Sequence, residues 1–357
     1  MTEFNSNSLS NREIAQARSR AYHLLSQLWL NGLTPALYEH VRSIPALAAA
    51  LQESTLQEST LQESALAPAL SRTPSSAPFD ADSAAAMHQH LFGFSLFPIQ
   101  SLFLARDGLV GGDESNRVHE SYLSFGFMPP SDHAPDHLGV ELAALALLTG
   151  AEADAWRDGL DATAAHMAGV QQTLLQQHLA RWIAPITIAV EQSGSAFYAQ
   201  VATLTYAVVS DHLTPGIAFP FQRPAETLQL DDPGTGLREI ARWLLTPCDS
   251  GMVLTRDNLR ALARTLDLPT GFGERQLMLV NLLRAAAGYD LLPALVDELR
   301  RLATAWQQAY AARLHAAPEL ITPWSTQVAA AVRVLSELHA LATQELQELI
   351  ARDDETA

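Results

Sequence analysis

The stretch VQQTLLQQHLARWIAPI, residues 170–186, places Val170, Leu174, Leu175, Leu179, Trp182, Ile183 and Ile186 at spacings of three and four. On a helix of about 3.6 residues per turn these positions share one face. The same pattern recurs upstream at Ala21, Leu24, Leu25, Leu28 and Trp29, and downstream at Phe197, Val201, Leu204, Val208 and Val209. Alternating apolar and polar residues bounded by turn pairs, the mark of strands, are hard to find. The reading is an all-α protein.

Two stretches interrupt the helical pattern. The first, about 51–82, opens with LQEST-LQEST-LQESA at 51–65 and continues into the Ser/Pro/Ala-rich SRTPSSAP. A five-residue repeat advances about 500° per copy on a helix, so its leucines line no single face. It reads as a slipped-strand expansion followed by flexible linker. The second runs from Pro215 to Gly236 and carries four prolines. The expected organisation is a tail at 1–11, a helical domain at 12–218 carrying the 51–82 insertion, a linker at 219–235, and a C-terminal helical unit at 236–357. In that unit Thr255 is the expected N-cap of a helix bearing Leu259, Leu262, Ala263 and Leu266. Further helices are expected at Glu274–Ala287, about Leu291–Leu314, and Pro323–Ala351, the last displaying Val328, Ala331, Val332, Leu335, Leu338, Ala342, Leu346 and Leu349.

Composition excludes several chemistries. All 22 basic residues are arginine, there are 39 acids, the net charge is −17, and the one cysteine is Cys248. Without lysine there is no ordinary Walker-A loop, pyridoxal Schiff base or kinase-type lysine. One cysteine cannot build a disulfide framework, a cysteine-cradled iron–sulfur cluster or an all-cysteine zinc site. The acidity opposes nucleic acid and anionic membrane surfaces, and suits a basic partner. Apolar stretches around 142–148 and 201–209 fall far short of the ~20 residues a membrane helix needs. The opening MTEFNSNSLSNRE lacks a signal-peptide pattern, so a cytoplasmic location is expected. Genomic codon bias explains the arginine-only usage.

Chemistry concentrates in His88–Glu141, which holds five of the twelve histidines: His88, His90, His119, His133 and His137. From Asp107 to Glu141 there are seven acids and one base, Arg117. Histidine and carboxylate suit zinc or iron, so a helical metal-binding protein or enzyme using the His88–His137 cluster is one reading. Against it, a His-x-His pair on a helix diverges by about 200°, and no HExxH or G-x-S-x-G pattern occurs. No catalytic residue, metal ligand or cofactor is therefore assigned. The string Pro135-Asp136-His137-Leu138-Gly139-Val140-Glu141-Leu142 reads instead as a helix start. Pro135 suits the first turn, Asp136 places charge at the positive helix end, and His137 and Glu141 are i,i+4 neighbours.

PDHLGVELAALALL, residues 135–148, resembles the signature of the TorD/DmsD/NarJ family of redox-enzyme maturation chaperones. In order along the chain, His90-Leu-Phe-Gly-Phe-Ser-Leu-Phe-Pro98-Ile-Gln-Ser101 and Val118-His-Glu-Ser-Tyr122-Leu-Ser-Phe-Gly126 are similar to family segments. So are His178-Leu179-Ala-Arg-Trp182 and Phe197-Tyr198. The resemblance covers roughly 12–215 and implies a TorD-like helical bundle extended by an additional C-terminal helical unit. It further implies a non-catalytic cytoplasmic chaperone that binds the apo catalytic subunit of a molybdopterin oxidoreductase for cofactor insertion, and in many cases its twin-arginine leader. Carried over residue by residue, Asp136 and His137 match the family's Asp-His pair implicated in client or leader binding. Asp136, Glu141 and Glu120 are then expected to pair with leader arginines, with Tyr122, Phe125 and Phe127 lining an apolar groove. On that reading, exchanging Asp136 and His137 for alanine lowers client affinity without unfolding the protein. The 51–82 insertion and the region beyond about Pro220 depart from the family pattern. A structural adaptor acting through the C-terminal unit is the third reading.

Overall fold

The computed structural model describes residues 9–53, 79–106, 108–214, 228–269 and 271–356. Its elements are helices throughout, with one isolated antiparallel bridge, Ile99 to His137, among the described residues. In order they are α1 (Asn11–Asn31), α2 (Pro35–Arg42), α3 (45–53), α4 (Ala81–His88), α5 (Gln100–Leu104), α6 (Gly112–Ser124), α7 (Leu138–Arg157), α8 (Asp161–Gln177), α9 (Ile183–Glu191) and α10 (Ala196–His212). Beyond the second interruption lie α11 (Leu237–Leu245), α12 (Pro247–Ser250), α13 (Arg256–Thr265), α14 (Arg275–Gly288), α15 (Leu292–Arg313) and α16 (Pro318–Thr356). A π-helical turn, Gln89–Ser95, follows α4 directly. All but the first three residues of the LQEST repeat, and most of the Pro215–Gly236 stretch, lie outside the described residues.

The chain divides into two compact units, and neither is continuous in sequence. Unit 1 comprises residues up to Gln100, Gly111–Ala180 and Ala189–Pro215. Unit 2 comprises Ser101–Val110, Arg181–Ile188 and the chain from Gly216 onward. The expected division into 12–218 and 236–357 is thus interleaved here, because two short segments of the earlier region group with the later helices.

In unit 1, α1 packs along α7, α7 on α8, and α10 on α1. Ser10 starts α1 with a reciprocal capping box to Glu13, which satisfies two otherwise orphaned N–H groups. The apolar face predicted around Trp29 is buried, and its polar atoms are satisfied inside the core. Trp29 Nε1 donates to Thr205 Oγ1 at 2.9 Å, and the Tyr22 hydroxyl is hydrogen-bonded with His212 Nδ1 at 2.9 Å. Gln171 Nε2 donates to the Leu148 carbonyl at 3.1 Å, tying α8 to α7.

Unit 2 is built on the α15–α16 pair, with α11 and α13 packed on α14. Its core takes in the run Trp182–Ile188, of which Trp182, Ile183 and Ile186 are fully buried. Trp182 stacks at an angle on Phe103 (5.1 Å between centroids), and Trp324 Nε1 donates to the Arg181 carbonyl at 3.1 Å. Thr255 caps α13 as expected, in a capping box with Asn258. One boundary differs: α16 begins at Pro318, and Pro323 lies inside it. Pro318 suits the start, where the backbone N–H groups have no intrahelical partner to lose. Of the face expected on this helix, the Leu346 and Leu349 side chains lie outside the description.

Candidate functional site

The residues 135–141 begin α7, but one turn later than the sequence suggests. His137, not Pro135, is the boundary: it is the N-cap, with extended backbone, and its Nδ1 accepts a hydrogen bond from the Gly139 N–H at 3.1 Å. An imidazole that caps in this way keeps a lone pair on Nδ1. Burial, and then the charges of His133 and His88, hold its pKa down at about 3.

Main-chain bonds lock the turn to the family-like segment at 97–101. The Gln100 N–H donates to the Asp136 carbonyl at 2.8 Å, and the Leu138 N–H donates to the Pro98 carbonyl at 2.9 Å. These two bonds form the Ile99–His137 bridge. Side chains reinforce it. Ser115 Oγ donates to Asp136 Oδ1 at 2.8 Å, and the Tyr122 hydroxyl donates to the Pro135 carbonyl at 2.9 Å. Gln100 Nε2 donates to Glu114 Oε2 at 3.1 Å, and Glu114 is also paired with Arg117. Gly139 faces α1 so closely that an added Cβ would stand 2.5 Å from Leu30 Cγ. Ser26 Oγ uses that proximity to donate to the Gly139 carbonyl at 2.7 Å.

The predicted residues therefore separate. Asp136 and Glu141 are 0% exposed, and Tyr122 is fully buried. Burial, with the nearby Glu141 and Asp136, pushes the Tyr122 hydroxyl well above its ordinary pKa. The sequence reading expected these three side chains to face a client; in this geometry they are interior. The bridge and the Ser115 bond draw Asp136 inward and the Tyr122 hydroxyl ties to the Pro135 carbonyl, so in this geometry these two side chains hold the turn. Asp136→Ala is accordingly a folding perturbation as well as a binding one, because it leaves Ser115 without its acceptor.

Tyr122, Phe125 and Phe127 do come together, with centroids 5.0–6.5 Å apart, and the latter two are partly exposed. Glu120 is exposed on α6. It stands two residues from Tyr122, hence about 200° around the helix, outside the aromatic cluster. The same stretch of sequence exposes apolar side chains that sequence reading did not single out as site residues: Phe94, Phe97, Leu123 and Met128, the last 72% exposed. Of the seven acids between 107 and 141, Glu114, Asp136 and Glu141 are interior, whereas Asp113, Glu120 and Asp132 are exposed. Much of the acidic density is thus internal scaffolding. The roles of Ser115, Gln100 and Gly139 were also missed; only the nearness of α6, the 97–101 segment and α1 reveals them.

Among the described residues the histidines of 88–137 stand in differing environments. His88 is hydrogen-bonded with the Trp29 carbonyl at 3.2 Å, while His90 is exposed. His133 and His137 stack 5.5 Å apart. Among the described residues no three His, Cys, Asp or Glu side chains converge so as to hold a metal ion.

A helical bundle whose most polar turn is spent on capping and bridging, with apolar side chains exposed beside it, has the character of a protein-binding module. Residues 44–187 match the family model of the nitrate reductase delta subunit. That stretch is thus similar to the NarJ/TorD chaperones, a family that is non-enzymatic and serves the assembly of nitrate reductase-type molybdoenzymes. Searches of curated proteins and of solved structures find no match to the chain. No described helix is long and apolar enough to cross a membrane.

Proposed function

We propose that the chain is a cytoplasmic chaperone that binds the apo catalytic subunit of a nitrate reductase-type molybdoenzyme and holds it for cofactor insertion. The observation that carries this reading is the packed junction of 97–101 with 135–141. Both segments fall inside the matched residues 44–187, and exposed Phe97, Leu123 and Met128 lie beside them in sequence. The buried turn fixes the backbone, and the apolar side chains supply the contact area. An amphipathic client helix reads such a surface through anchors at helical spacing. Exposed Glu120 and Asp132, rather than Asp136 and Glu141, are the carboxylates placed to meet arginines of a client leader.

The test is calorimetric titration with an apo catalytic subunit, with and without its leader. Replacing Phe97, Leu123 and Met128 together by serine is expected to weaken binding at least tenfold while the melting temperature stays put. Undiminished affinity would remove the surface assignment. Equal affinity for cofactor-loaded subunit would remove the chaperone reading itself. Glu120→Gln with Asp132→Asn is expected to weaken only the leader-bearing form.

A further inference from the structure

Just before α14 the chain holds an aromatic side chain out in solvent. Phe272 is 95% exposed and stands between two glycines that lie against the first turns of α14. A Cβ added at Gly273 would meet Leu277 Cδ2 at 3.4 Å, and one at Gly271 would meet Asn281 Nδ2 at 3.2 Å. Gly273 also has a φ of +119°, in the region that favours glycine. The two glycines thus let the backbone lie on Leu277 and Asn281, and the Phe272 ring between them stays uncovered. Leu277, Asn281, Arg284 and Gly288 then follow one another at spacings of four and three along one face of the helix. Leu277 is 50% exposed, and Arg284 is exposed and pairs with no carboxylate among the described residues. From Arg275 to Tyr289 there are two arginines and no acid, in a chain of net charge −17.

Unit 2 thereby presents apolar anchors with an arginine at helical spacing, the features that the client surface proposed for unit 1 is suited to take. That surface offers exposed Phe97, Leu123 and Met128, with the carboxylates of Glu120 and Asp132. The two patches are opposite in charge and alike in apolar character, which makes them complementary. Both are exposed in the single chain and so available to a second copy. A second copy is also the one partner of this chemistry that every solution of the protein contains.

We propose that Phe272 and the exposed face of α14 in one copy dock on the client surface of a second copy, so that the free protein self-associates through the surface it later offers its client. The inference rests on the client-surface reading above. The contact joins two different patches, so it is heterologous and adds copies head to tail. Sedimentation equilibrium of the full-length protein tests it. The weight-average mass is expected to rise with concentration, and to rise less at high salt, where the charge attraction is screened. Phe272→Ser together with Arg284→Gln is expected to weaken self-association at least tenfold, with the melting temperature and the affinity of dilute protein for an apo catalytic subunit unchanged. The triple serine variant at Phe97, Leu123 and Met128 is expected to weaken self-association as much, and added catalytic subunit to disperse the assemblies into complexes with single copies. A mass that survives either variant in a folded protein would overturn the docking proposed here, as would assemblies that take up catalytic subunit without dispersing. A protein monomeric at every concentration, beside a triple variant that has lost its client, would overturn this inference alone. Undiminished client affinity in the triple variant would overturn the client-surface reading, and this inference with it.

Discussion

Gly139→Ala tests the packing that positions the candidate site. The new Cβ would meet Leu30 Cγ at 2.5 Å, Leu30 Cδ2 at 2.9 Å and the Ser26 carbonyl oxygen at 3.1 Å. Leu30 is only partly buried and is able to rotate at some rotamer cost, but the Ser26 oxygen belongs to the backbone of α1 and moves only with that helix. Overpacking of this kind costs about 1–3 kcal/mol. Alanine recovers part of the ~1 kcal/mol by which glycine disfavours a helix interior, less so here at the second residue of α7. The balance is a destabilisation of about 1–2 kcal/mol. For a unit of this size that is roughly 2–8 °C in melting temperature. Thermal and urea unfolding monitored by circular dichroism would measure it. The decisive comparison is a cycle with Leu30→Ala, which removes the nearest clashing atoms. If the clash is the cause, the double variant is less destabilised than the sum of the single ones. A Gly139→Ala protein as stable as the original, or a cycle with no coupling, would refute the account of why glycine stands in PDHLGVEL.

Two further outcomes follow from the same geometry. Burial holds the pKa values of His137 and His212 at about 3, so the folded state disfavours their protonated forms. The stability this represents is present above the unfolded value near 6.5 and is lost as pH falls below it, by about 1.4 kcal/mol per pH unit for each group. His137→Asn retains a capping acceptor and is expected to reduce the acid slope of unfolding free energy by one proton; an unchanged slope would contradict the assignment. Deleting 236–357 strips Trp182, Ile183 and Ile186 of the helices with which they form unit 2, including the Trp324 bond to Arg181. The truncated chain is therefore expected to aggregate or bind a hydrophobic dye, as checked by light scattering and dye fluorescence. A monodisperse, dye-silent truncation would show that this run is covered in some other way.

The sequence alone determined the helices, because amphipathic periodicity is a local property written at spacings of three and four. Leu174, Leu175, Leu179, Trp182, Ile183 and Ile186, and on α1 Leu24, Leu25, Leu28 and Trp29, are buried as that pattern requires. It also determined the cap at Thr255, since a capping side chain bonds within three residues of itself. The family resemblance was likewise legible, its motifs being short and ordered along the chain. Tertiary structure decided what the motif residues do. Nothing local distinguishes a carboxylate aimed at a partner from one turned inward, and only the approach of Ser115 and of the Gln100 backbone shows that Asp136 faces inward. Likewise, only the fold shows that Trp182–Ile188 groups with helices more than fifty residues downstream. Periodicity tells that a face is buried, not against which part of the chain, because the pairing of faces depends on long-range geometry that no local spacing encodes.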